Sequence, residues 1–246
     1  MRHSVELTLA RLAFRQLTSS KRSLWVIVLA ALPIVLALLT RGDADAAVES
    51  FATQWQALTV RVLLPIVALV VGTGIFGAEV EDGTLTYVLG KPVARWRMVV
   101  TRIVVAGLAT AAVLVPATLV SSAIALRGTD SGRLVLALTG AVALGGFLYC
   151  ALFVALSLST RRALVAGLGY VVIWEGLLSG SFGGSRALSV RQYTLAFADG
   201  MSSARDSVIN APLEPGKAAM LATAVAVLAT FYAIRRLRRF EIGEAA

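Results

Sequence analysis

Apolar residues in this chain gather into six runs, Leu24–Thr40, Leu58–Gly77, Ile103–Leu126, Leu134–Leu158, Ala163–Gly180 and Ala218–Ile234. They are 17, 20, 24, 25, 18 and 17 residues long, and crossing a ~30 Å hydrocarbon core takes roughly 17–25 residues in a helix. In lipid no water can satisfy the backbone N–H and C=O groups, so such runs are helical. The pattern predicts an all-α integral membrane protein with a six-helix domain over residues 24–234. Before the first run, Val5, Leu9, Leu12, Ala13 and Leu17 recur at helical spacing with Arg11 and Arg15 on another face. That predicts an amphipathic interface helix over residues 1–23, against the simpler alternative of a plain extension. Within the last long connection, residues 181–217, the stretch Val190–Ala204 is moderately apolar. Short helices dipping back into the membrane are expected there, where protein or a watery cavity covers the backbone.

Composition agrees with the pattern. The 246 residues are 58% hydrophobic and 15% charged, with a mean hydropathy of +0.81, whereas soluble domains carry about 25% charged residues. The net charge of +9 comes from 23 Lys and Arg against 14 Asp and Glu. Its distribution decides its meaning. Residues 1–23, 78–102, 159–162 and 235–246 hold 15 basic residues in 64 positions, and the alternate connections hold 7 in 61. Basic residues mark the cytoplasmic side, so both termini are expected inside, with 235–246 a basic cytoplasmic tail. The basic excess is then a topology signal, and no nucleic-acid partner is expected.

Candidate chemistry is sparse. One cysteine, Cys150, and one histidine, His3, allow no disulfide, no multi-Cys metal site and no nucleophile–base pair. Gly72-Thr73-Gly74-Ile75-Phe76-Gly77 matches Gly-x-Gly-x-x-Gly, but it ends a spanning run and lacks the strand–helix context and downstream acid of a dinucleotide site. Six residues separate Gly83 from Gly90-Lys91 where a phosphate-binding loop has four, and Pro92 replaces its Ser or Thr. No catalytic residues, no metal and no bound cofactor are expected in this chain.

The connection over residues 78–102 is richer. Glu79, Glu81 and Asp82 precede Gly83-Thr84-Leu85, and Lys91-Pro92-Val93-Ala94-Arg95 follows. Asp82 can cap a helix start, Leu85, Val88 and Leu89 share a face, and Pro92 stops the helix. The segment reads either as a short stiff helix able to carry force from a soluble partner or as a charged turn that only connects spans.

This order of acids, Gly-Thr-Leu and Lys-Pro-Val-x-Arg after a second span resembles the membrane subunits of ATP-binding-cassette (ABC) exporters of the second type. Gly169–Leu178 and Leu188–Tyr193 are similar to the same family, as are six spans with internal termini. The resemblance implies a plasma-membrane permease, without enzymatic activity of its own, that pairs with a second copy and with ABC ATPase subunits binding ATP and Mg. It implies that residues 78–102 carry the coupling helix docking on the ATPase. That role transfers to Glu79, Glu81, Gly83, Thr84, Leu85, Lys91, Pro92 and Arg95. The cargo is expected to be apolar or amphiphilic, a drug, lipid or lipid-linked molecule, because few charges lie within the spans. A membrane anchor or sensor that recruits a cytoplasmic partner is the alternative.

Glu175 is the only acid inside a predicted span, and an ionised carboxylate there needs a partner or water. It lies five residues from the outer end of its run, and Arg61 lies three residues from the outer end of the second. Similar depth allows a Glu175–Arg61 pair, acting as a gate or substrate contact. Two structural readings compete with the gate: a buried pair, or a hydrogen bond from Glu175 to the re-entrant segment.

Overall fold

The computed structural model describes residues 21–40, 44–81, 94–160, 162–178, 185–202, 208–209 and 211–242. The expected interface helix of residues 1–23 falls almost wholly outside them, as do residues 82–93 of the coupling segment. All described regular elements are helical. They are α1 (Lys21–Leu39), α2 (Ala44–Gln54), α3 (Leu64–Glu81), α4 (Arg95–Ala125), α5 (Gly132–Ser157), α6 (Ala163–Gly169), α7 (Val190–Met201) and α8 (Pro215–Ile242). A π-helical stretch, Trp55–Leu63, joins α2 to α3 in one rod, and a second, Tyr170–Leu178, continues α6.

Each apolar run lies on a helix. Among the described residues, four helices are long and apolar enough to cross a bilayer: Ala47–Phe76, Arg95–Ala125, Gly132–Ser157 and Pro215–Arg238. Val28–Leu39 and Ala163–Leu177 are shorter apolar helices. Two boundaries differ from expectation. Residues 44–57, read as an external connection, are helical and continuous with the second run. Their Ala-rich, acid-bearing sequence hides an apolar stripe, because Val48, Phe51, Ala52 and Trp55 sit at helical spacing and pack into the core. Likewise the basic tail from Arg235 continues α8 to Ile242 instead of leaving the helix.

α5 is the hub, packing on α3, α4, α6, α7 and α8. Its buried side chains include Leu134, Leu138, Tyr149 and Phe153, and its glycines let neighbours approach. A Cβ on Gly145 would lie 2.5 Å from Thr194 Oγ1 and 2.8 Å from Leu64 Cδ2. Apolar transfer does not drive helices together in lipid, so close packing through small residues is what holds them. Gly145 sits midway along α5, which fixes Leu64 of α3 and Thr194 of α7 at the mid-height of the bundle.

Candidate functional site

Helix α7 brings the site together. Its contacts with Gly145 by Thr194 and with Gly140 by Phe197 run antiparallel to α5, so α7 starts at mid-height and climbs toward one end. A short helix was expected within Val190–Ala204, and Val190–Met201 forms one that begins beside the centre of α5.

Glu175 meets the start of that helix. It is 3% exposed and lies in the second π-helical stretch, where residues five apart are hydrogen-bond neighbours. Tyr170 Oη accordingly donates to Glu175 Oε1 at 3.3 Å. Ser189 Oγ donates to Oε2 at 2.5 Å, and Val190 N–H donates to Oε1 at 3.0 Å. Ser189 is also the N-cap of α7, its backbone extended and its hydroxyl accepting from Gln192 N–H at 3.4 Å. The carboxylate therefore sits on the positive end of the helix dipole. Two further bonds tie the descending turn: Trp174 Nε1 donates to the Leu188 carbonyl at 3.3 Å, and Tyr193 Oη donates to the Ala187 carbonyl. Glu175 is thus bonded to its own helix and to the re-entrant segment, at the level of Tyr149 in α5, well inside the bundle. Of the readings the sequence left open, the hydrogen bond to the re-entrant segment is the one seen.

Beside this closed set lie polar atoms without partners. Tyr149 Oη is buried next to Glu175 but completes no hydrogen bond of ordinary geometry. Arg191 Nε and Gln192 Oε1, in the first turn of α7, are also buried without partners, as is Trp55 Nε1. Arg61 does not pair with Glu175. It is exposed, lies near enough to repel the Arg191 guanidinium, and shares that neighbourhood with Glu175, which attracts it. An arginine at mid-membrane costs about 2.5–3.5 kcal/mol on insertion scales when it faces lipid.

On the opposite side of α7 runs an apolar groove of about 600 Å³, lined by Phe147, Leu148, Tyr193, Phe197, Ala222 and Val227 among others. Its lining on α8 reaches from Pro215 to Thr230, a length of roughly 22 Å at 1.5 Å per residue. Among the described residues, no three His, Cys, Asp or Glu side chains come together to hold a metal.

At the other end, α3 and α4 flank residues 82–93, the stretch expected to carry the coupling helix. Glu79 and Glu81 lie in the last turn of α3, and Arg95 opens α4; Gly83, Thr84, Leu85, Lys91 and Pro92 lie outside the described residues. Arg102 of α4 bridges the two helices: its Nη1 donates to the Ile75 carbonyl at 2.6 Å, and its guanidinium lies 4.1 Å from the Phe76 ring centroid. An arginine held this way in a low-dielectric setting gains both a charge-assisted bond and a cation–π contact. The two ends of residues 82–93 are therefore clasped at their base.

The sequence singled out Glu175 and Arg61 but not Tyr170, Ser189, Tyr149, Arg191 or Arg102. One signal was available, since Ser189-Val190-Arg191-Gln192 has the Ser-x-x-Gln form of a helix start. A family model described as ABC-2 family transporter protein matches residues 7–234, and the chain belongs to that family. A comparison with curated proteins gave no match.

Proposed function

From this family membership we propose that the chain is the permease subunit of an ATP-driven exporter in the cell membrane. It spans six times with both termini cytoplasmic, pairs with a second copy, and is powered by two separate ATPase subunits. Residues 79–97 form the contact with the ATPase. The observation that carries this reading is the clasped pair α3 and α4. Arg102 holds the two helices together where the coupling segment leaves them, so a push on the segment moves both helices as one lever. The cargo is apolar or amphiphilic, in keeping with the long apolar groove beside α7.

The test is co-expression with a candidate ABC ATPase, purification of the complex, and assay of ATP hydrolysis and vesicle transport. A complex whose hydrolysis rises with cargo supports the exporter, and an intact complex without cargo-dependent hydrolysis or transport leaves only the anchor. Leu85→Asp puts a charge on the apolar face of the coupling segment. It should weaken ATPase retention by about tenfold, the effect of 1.4 kcal/mol, while the permease still folds. Unchanged retention would remove the segment from the interface.

A further inference from the structure

Arg61 and Arg191 lie on neighbouring elements, the first π-helical stretch and the first turn of α7, which pack against each other. Both sit at mid-height. Arg61 is three residues before Leu64, which packs on the centre of α5, and Arg191 follows the cap bonded to Glu175. The end of α1 gives an independent depth marker. Thr40 Oγ1 donates to Gln54 Oε1 at 3.3 Å, so Arg61 lies seven residues beyond the level where α1 stops.

Among the described residues neither guanidinium completes a hydrogen bond or an ion pair. Arg61 is exposed, and the Nε of Arg191 is buried without an acceptor. The carboxylate nearby is already occupied, its two oxygens meeting Tyr170, Ser189 and Val190. Among the described residues two guanidinium groups stand against one carboxylate, which leaves the cluster cationic. The two arginines repel each other, and at this depth hydrocarbon cannot solvate them. What compensates them is an anion with several oxygens. Guanidinium forks match phosphate with paired hydrogen bonds, and a phosphate accepts from two arginines at once. The depth favours an anion that arrives on an apolar tail over one that arrives from water.

We propose that Arg61 and Arg191 bind the phosphate head of an anionic amphiphile. As a cargo contact this rests on the exporter reading and narrows its amphiphilic cargo to anionic ones; as a binding site it stands without it.

The experiment uses the full chain purified in the neutral detergent dodecyl maltoside, without ATPase or nucleotide. Tryptophan fluorescence reports on the site, because Trp55 shares the stretch of Arg61 and Trp174 precedes Glu175. Dodecyl phosphate and dodecylphosphocholine are titrated as matched probes, with inorganic phosphate as competitor. Dodecyl phosphate should bind about tenfold more tightly than the zwitterion, the worth of one charge-assisted pair. Arg61→Gln and Arg191→Gln should each remove most of that advantage, and Arg191→Lys should keep part of it. Arg61 is exposed, so its variant tests the site even if Arg191→Gln fails to fold. Equal binding of the two probes, or an advantage that survives in Arg61→Gln, overturns the proposal. Displacement by inorganic phosphate at concentrations matching dodecyl phosphate also overturns it, by making the site one for a free anion. Loss of the exporter reading would appear in ATP hydrolysis, which this titration does not use.

Discussion

Glu175 and Arg191 occupy the same corner of the bundle, at the start of the same short helix, and their surroundings are opposite in kind. The carboxylate accepts from Tyr170, Ser189 and Val190, donors on two elements. The guanidinium keeps a buried Nε without an acceptor and has a second arginine for a neighbour. A buried polar group that is fully bonded serves architecture, and one left open marks a place for something the chain does not supply. On this contrast Glu175 is the clasp that fixes the re-entrant helix, and the arginines beside it are the surface that clasp presents.

The largest effect should come from opening the clasp. Glu175→Leu removes the acceptor of Ser189 and of the Val190 N–H, leaving both donors buried. Stranded buried donors cost about 1–3 kcal/mol each, so a loss of roughly 3 kcal/mol is expected. Thermal unfolding in detergent would record it, with transport lost in the same variant. Glu175→Gln keeps one acceptor oxygen and should cost about 1 kcal/mol, cutting transport while leaving assembly with the ATPase intact. If transport is unchanged in Glu175→Gln, the carboxylate is architecture alone and the gate reading fails.

How much of this was legible beforehand depends on how far apart the interacting residues are in the chain. The six apolar runs needed only local composition, and all six lie on helices. The helix over residues 44–57 was masked because its apolar stripe of Val48, Phe51, Ala52 and Trp55 is diluted by acids and alanines, so window hydropathy sees a loop. Glu175 stood out as a lone acid in an apolar run. Its partners did not, because the bonds to Ser189 and Val190 depend on the chain turning back after Leu178 and descending beside its own helix. Its enclosure was hidden for the same reason. Counting along the run gives only a distance of five residues from the outer end, whereas the returning segment buries it beside Tyr149. Arg191 sat in a connection counted as external, and only the docking of α7 on Gly145 carries it inward. Arg61 kept its expected helix, and the pair with Glu175 that similar depth allowed is not formed.

A smaller effect should follow from Ser189→Ala, which touches the clasp from the helix side. The hydroxyl donates to Glu175 and accepts from the Gln192 N–H, so its loss weakens the cap and removes a donor to the carboxylate. Loss of an N-cap costs about 1 kcal/mol, and hydrogen bonds between helices in membranes average about 0.6 kcal/mol. A drop of roughly 1–2 kcal/mol is expected, smaller than that of Glu175→Leu. The two losses should also be non-additive, because the double variant has no Ser189–Glu175 bond left to break. Additive losses would mean that the serine stabilises α7 without the carboxylate.

The smallest effect tests the boundary between the closed and open groups. Tyr149 Oη is buried against Glu175 with no hydrogen bond of ordinary geometry, while its ring stacks on Phe153 at 5.8 Å between centroids. Tyr149→Phe keeps the stack and removes only the hydroxyl. Deleting a buried hydroxyl that has no partner is neutral or mildly stabilising, within about 1 kcal/mol. An unfolding midpoint equal to or above that of the parent protein would place Tyr149 with Arg191 among the open groups. A loss of more than about 1 kcal/mol would show instead that the hydroxyl donates to Glu175. The clasp would then have a donor from α5 as well, and α5 would be bound to α7 through the carboxylate as well as through Gly145.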